Sequence, residues 1–74
     1  MKGGDKLEYK LQISMAAARV NAGLTQSELA RRMKVSRNTV VNWETGKVIP
    51  NFAQLNLFCS IVKIPIDYIF LHGA

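Results

Sequence analysis

Gln26-Ser27-Glu28-Leu29-Ala30-Arg31-Arg32-Met33-Lys34-Val35-Ser36-Arg37-Asn38-Thr39-Val40-Val41-Asn42-Trp43-Glu44-Thr45-Gly46-Lys47 holds two short helical patterns joined by Lys34-Val35-Ser36. Thr25 opens the first. Thr25-Gln26-Ser27-Glu28 is a capping box, in which the threonine hydroxyl accepts from a first-turn amide and the glutamate reaches back to the cap amide, so a helix starts at Gln26. Leu29 and Met33 lie four apart and face a core, Ala30 is small enough for a close helix crossing, and Arg31 and Arg32 fall towards solvent. This helix stops near Met33. After the turn Ser36 can cap a second helix, Arg37 to Glu44, whose Val40 and Trp43 are three apart on the buried side, and Gly46 ends it.

Outward from this pair the periods change. Ser14 can cap an Ala-rich helix from Met15 to Ala22, ended by Gly23 where a left-handed residue is favoured. Before it, Leu7, Tyr9, Leu11 and Ile13 alternate with polar residues, the two-residue period of a short strand. On the other side Asn51 caps Phe52 to Val62, in which Phe52, Leu55, Phe58, Cys59 and Val62 recur at three and four as a core face. Asp67 to Leu71 is short enough to be one helical turn or a strand. Residues 1–6 are expected to be a flexible start, and 7–74 a single domain.

The composition fits one small globular domain: 74 residues, 49% apolar and 20% charged. The formal net charge of +5 is unevenly spread. Residues 1–24 carry a net of +2 and residues 25–47 a net of +3, whereas residues 48–74 hold only Lys63 against Asp67. An excess confined to two thirds of the chain points to a polyanion-facing surface there and a structural or self-associating surface in the rest. Cys59 is the sole cysteine, which excludes an internal disulfide or a thiolate-rich zinc site and makes a reducing, cytoplasmic location the expectation. No apolar run is long enough to span a bilayer, and Met1 to Lys6 is followed by no apolar stretch of the signal-peptide kind. One histidine, His72, one cysteine in an apolar helix and no clustered carboxylates leave nothing to build a catalytic or metal site, so no enzyme, cofactor or small-molecule substrate is expected.

The block from Gln26 to Lys47, extended by Arg19, Gly23-Leu24-Thr25 and Pro50 and on to Ile64–Phe70, resembles the Cro/cI-type helix-turn-helix family of phage repressors and bacterial regulators. The resemblance implies an all-α, lambda repressor-like bundle of four to five short helices, with room for a short N-terminal strand paired near the C-terminus. It implies a bacterial or phage transcriptional regulator, repressor-like, that binds double-stranded DNA in the cytoplasm or nucleoid with helix 36–44 in the major groove. Two positions depart from the family's habit: Lys34 and Lys63 stand where glycine is common, at a cost of up to about 1 to 2 kcal/mol if their backbones are left-handed. In the family the residue at Gln26 grips a phosphate, helped by the positive end of its helix. An arginine in the first helix commonly pairs there with the glutamate ending the third, which makes Arg19 and Glu44 a structural ion pair rather than DNA contacts.

The motif's physics agrees. A helix held by Val40 and Trp43 turns Asn38, Val41, Asn42 and Thr45 away from the core, with Arg37 at its first turn. Arginine can donate twice to guanine, asparagine can pair with adenine, and valine can cover a thymine methyl, so Arg37, Asn38, Val41 and Asn42 are the expected base readers. Thr45 is as readily a solvated residue. Ser36, Thr39 and Lys47 join Gln26 as expected phosphate contacts, which position without reading. Trp43 and Cys59 are expected in the core, and His72 as a lone tail residue.

One such motif reads few base pairs, so a homodimer is expected, at least on DNA, with two reading helices about 34 Å apart. Ile49, Pro50, Ile61, Pro65, Ile66 and Tyr68 form its candidate surface. The strand must pair with something, either Ile69-Phe70-Leu71 of its own chain or its copy across a two-fold axis; the unclaimed apolar segment after Asp67 favours the first. The rival function is an antitoxin-type or other protein-interaction module on the same fold, for which Leu57, Ile61 and Tyr68 are surplus apolar residues. Sequence-blind DNA compaction needs only Lys and Arg and fits the mixed face of helix 36–44 less well.

Overall fold

The computed structural model describes residues 11–72, so the expectations for 1–6 and for the strand before Leu11 lie outside the described residues. In chain order the elements are β1 (Ile13–Ser14), α1 (Met15–Asn21), α2 (Gln26–Met33), α3 (Arg37–Thr45), α4 (Phe52–Val62), a 3-10 turn (Ile66–Tyr68) and β2 (Ile69–Phe70). Four short α-helices with a helix-turn-helix at their centre match the fold class read from the sequence. The last segment is both of its alternatives in succession.

Each helix begins where a side chain supplies an acceptor for a first-turn amide that has no partner within the helix. Ser14, Thr25, Ser36 and Asn51 accept from the amides of Ala17, Glu28, Thr39 and Gln54 at 3.1, 3.0, 3.1 and 2.8 Å. The box at α2 is closed by the Thr25 amide on Glu28 Oε1 at 2.8 Å, and α4 has a second box, with the Asn51 amide on Gln54 Oε1 at 2.9 Å. Thr25 lowers the pKa of Glu28, first through its backbone N–H and then through its side chain.

Three helices end alike. Gly23, Lys34 and Lys63 are left-handed, at φ 77°, 60° and 61°. The amides of the next residues, Leu24, Val35 and Ile64, bond back to the carbonyls of Arg19, Ala30 and Cys59 at 3.1, 3.0 and 3.2 Å. This is the Schellman arrangement, and Leu24, Val35 and Ile64 pack against the core as its apolar partner should. Both lysines occupy the strained backbone that their departure from the family's glycine raised.

The core gathers one face from every helix: Met15 and Ala18 of α1, Leu29, Ala30 and Met33 of α2, Val40 and Trp43 of α3, Phe58, Cys59 and Val62 of α4, closed by Ile69. Phe52 does not join it. It is 74% exposed, because the apolar face of α4 meets the core only from Leu55, one turn along, and periodicity alone does not say where a core stops. Burial raises the pKa of the Cys59 thiol.

β1 and β2 pair in parallel, Ile13 with Ile69 and Ser14 with Phe70, within one chain, as favoured above. Leu11 and Gln12, although described, lie outside the ladder. His72 is no free tail residue. Its ring meets Phe70 edge-on at 5.1 Å, and a Cβ on Gly46 would come within 2.9 Å of its own Cβ. Gly46, at φ 81°, thus both ends α3 and admits the close approach of His72.

Candidate nucleic-acid interface

The geometry of α3 follows from its two faces. Val40 and Trp43 are 0% and 3% exposed and anchor it on α2 and the core. Arg37 and Asn38 at its first turn are exposed, and Val41 and Asn42, further along, are half-buried. The four expected base readers therefore lie on the stretch of one helix that begins at its N-terminus. Thr45 is turned inward on its own helix, its hydroxyl donating to the Val41 carbonyl at 3.0 Å.

Three of the expected phosphate contacts, Gln26, Ser36 and Thr39, lie towards that N-terminus, and Lys47 lies at the other end of α3. The Ser36 and Thr39 hydroxyls are 2.9 Å apart, so one donates to the other and the second keeps a proton to offer outward. Lys47, just past α3, is exposed. Gln26, half-buried, opens α2. With the Glu28 amide taken by Thr25, the earlier amides of this turn retain the donor capacity of a helix start.

Behind these residues runs a continuous polar chain. Arg19 grips Glu44 twice, Nε to Oε2 at 2.7 Å and Nη2 to Oε1 at 3.2 Å, and its Nη1 donates to the Leu24 carbonyl at 2.9 Å. The two side chains are only 13% and 7% exposed, so this ion pair ties the end of α3 to α1 away from bulk solvent. Gln26 Nε2 donates to Glu44 Oε1 at 3.0 Å, and Arg37 Nη2 donates to Gln26 Oε1 at 2.9 Å. The ion pair implied by the resemblance is in place. Its extension through Gln26 to Arg37 is new; the only sequence sign was the seven-residue spacing of Arg37 and Glu44, which puts them on one side of α3.

The residues expected at a dimer surface divide. Pro50 is buried, and Ile61 and Ile66 are half-buried, packing in part against the core. Ile49, Pro65 and Tyr68 remain exposed, joined by Val48, Phe52 and Leu57.

Two capped helices joined through a left-handed residue, the second showing a polar, mixed face, define a helix-turn-helix domain. The chain belongs to that family: its model, described as Helix-turn-helix and of the Cro/cI type, matches residues 15–69. The chain is also similar to the HTH-type transcriptional activator BcrR of Enterococcus faecalis, with 37% identity over 49 residues. That stretch is 66% of this chain but 24% of the relative, so the match spans about a quarter of that protein's length. No solved structure gives a significant match. Among the described residues no helix is long and apolar enough to cross a membrane.

Proposed function

We propose that this chain binds double-stranded DNA sequence-specifically and regulates transcription, with α3 lying in the major groove. The observation that carries this reading is the pairing of an outward α3 stretch bearing Arg37, Asn38, Val41 and Asn42 with an inward stretch locked by Val40, Trp43 and the Arg19–Glu44 ion pair. A helix held this firmly presents base-reading groups at little ordering cost. In this reading Arg37 addresses a guanine, Asn38 or Asn42 an adenine, and Val41 a thymine methyl. The α2 N-terminus with the second Nε2 hydrogen of Gln26, the Ser36–Thr39 hydroxyl pair and Lys47 hold the flanking phosphates. The uneven charge supports this, since Arg31, Arg32, Lys34, Arg37 and Lys47 all fall in the 23 residues around the motif.

A site overlapping a promoter would make such a protein repressor-like, whereas one beside it would suit activation, the activity in the relative's name. The reading face is the same in either case. Binding as a homodimer belongs to the proposal, with Ile49, Pro65 and Tyr68 as the most exposed of its expected residues and Ile61 and Ile66 half-buried beside them. A protein partner is the second reading, favoured by Phe52 at 74% exposure and Leu57 at 44% on α4. Selection of bound duplexes from a random pool decides between them. Enrichment of one short motif, repeated with two-fold symmetry, is the expected result; recovery of the pool unchanged would overturn DNA reading.

A further inference from the structure

We infer that Gln26 is a positioning residue for Arg37, with its polarity imposed by Glu44, so that base discrimination at α3 is set partly from behind the reading face. This rests on the reading of α3 given above and deepens it. An ionised carboxylate only accepts and a guanidinium only donates. A glutamine amide between the two satisfies both in a single orientation: NH2 towards Glu44, carbonyl towards Arg37. The observed contacts are those, at 3.0 and 2.9 Å. The orientation is therefore forced by the chemistry of the neighbours.

Glu44 itself cannot turn away, because Arg19 holds both of its oxygens and is anchored in turn on the Leu24 carbonyl. Order passes from the nearly buried ion pair to Gln26 and from Gln26 to the exposed Arg37. The contact uses one hydrogen of Arg37 Nη2 and leaves the other four guanidinium donors, enough for a two-pronged contact with guanine O6 and N7. An arginine restrained before binding loses less side-chain freedom in making that contact, and its fork is aimed. Gln26 thus contributes to specificity, beyond the uniform grip that a phosphate contact gives.

The test uses the full chain, with Gln26→Met, which keeps the length of the side chain and removes both hydrogen bonds, Arg37→Ala and the double variant. Each is measured on the selected site and on the site altered at the Arg37 base pair. Gln26→Met is expected to lower discrimination at that base pair about tenfold. In the double variant it should add nothing to the loss caused by Arg37→Ala. A Gln26→Met loss equal on both sites, and additive with that of Arg37→Ala, would reduce Gln26 to a phosphate contact and overturn the inference. A second measurement needs no DNA. Side-chain nitrogen relaxation in the free protein should show Arg37 more ordered than exposed Arg31, and equally mobile with it in Gln26→Met. Equal mobility in the unaltered protein would overturn the relay even if α3 reads bases, whereas failure of Arg37→Ala to alter discrimination would overturn the base-reading role alone.

Discussion

From Ser14 to Gly46 the molecule adds to its larger share of the core a set of polar side-chain contacts that run from helix to helix, whereas from Pro50 to Leu71 it contributes mainly apolar packing, with a capping box of its own at α4. The first region carries three capped helix starts, a doubly bonded ion pair and the relay to Arg37. The second supplies Phe58, Cys59, Val62 and Ile69 to the core and has only Lys63 and Asp67 as charged side chains. Apolar burial is non-directional and sets whether the domain folds. Hydrogen bonds to charged groups are directional and fix how one helix is set against its neighbours. The residues expected to read DNA lie in the region where orientation is specified, and the second region serves as its support.

The contrast is broken most forcefully at Phe58, which is fully buried. Phe58→Ala is expected to cost about 3 to 5 kcal/mol, against about 3 kcal/mol for Arg19→Ala, which leaves the Glu44 carboxylate without its cation. Chemical denaturation ranks the two. Where both variants remain folded, only Arg19→Ala should also change DNA discrimination, because it alone loosens the chain to Arg37. The same selectivity loss in Phe58→Ala would erase the distinction between the regions.

A smaller, opposite effect is expected at the left-handed lysines. Lys34→Gly and Lys63→Gly should each stabilise the fold by about 0.5 to 1 kcal/mol, the relief of backbone strain less the entropy of glycine. Rising melting temperatures check this; a fall at either position would show that its lysine side chain holds the turn in some other way.

The smallest effect concerns acid. Thr25 holds the Glu28 pKa below its ordinary value of 4.5, so Glu28 adds stability above the unfolded carboxylate pKa and loses it as pH falls through the lowered folded value. Glu28→Gln should flatten the acid side of the stability curve and leave its slope above neutrality unchanged. An unaltered acid limb would remove the capping box from that dependence.

Much of this was legible in the sequence because caps are local. Ser14, Thr25, Ser36 and Asn51 each declare a helix start within three residues, and the apolar pairs Leu29–Met33 and Val40–Trp43 declare the buried faces that follow. What escaped was non-local. Nothing in the period of α4 says that the core stops before Phe52, and Pro50 looks like a free loop residue until its burial is seen. The alternation ending at Ile13 requires a partner strand but leaves two candidates; the Ile13–Ile69 pairing joins residues far apart in the chain. The ion pair was implied by the resemblance alone. Its continuation to Arg37 depends on the α2–α3 crossing, which brings Gln26 within 2.9 Å of a side chain 11 residues away.

The central claim is that α3 reads bases through Arg37, and it is tested most directly by comparing Arg37→Ala with Arg31→Ala on a selected site and on every single-base variant of it. Both arginines are exposed and carry the same charge, but Arg31 lies on α2, outside α3. The expected result is a loss of about 1 to 3 kcal/mol of discrimination at one base pair for Arg37→Ala, and for Arg31→Ala at most a uniform, salt-dependent weakening. Equal, sequence-blind losses from the two variants would contradict it and leave Arg37 as one more positive charge.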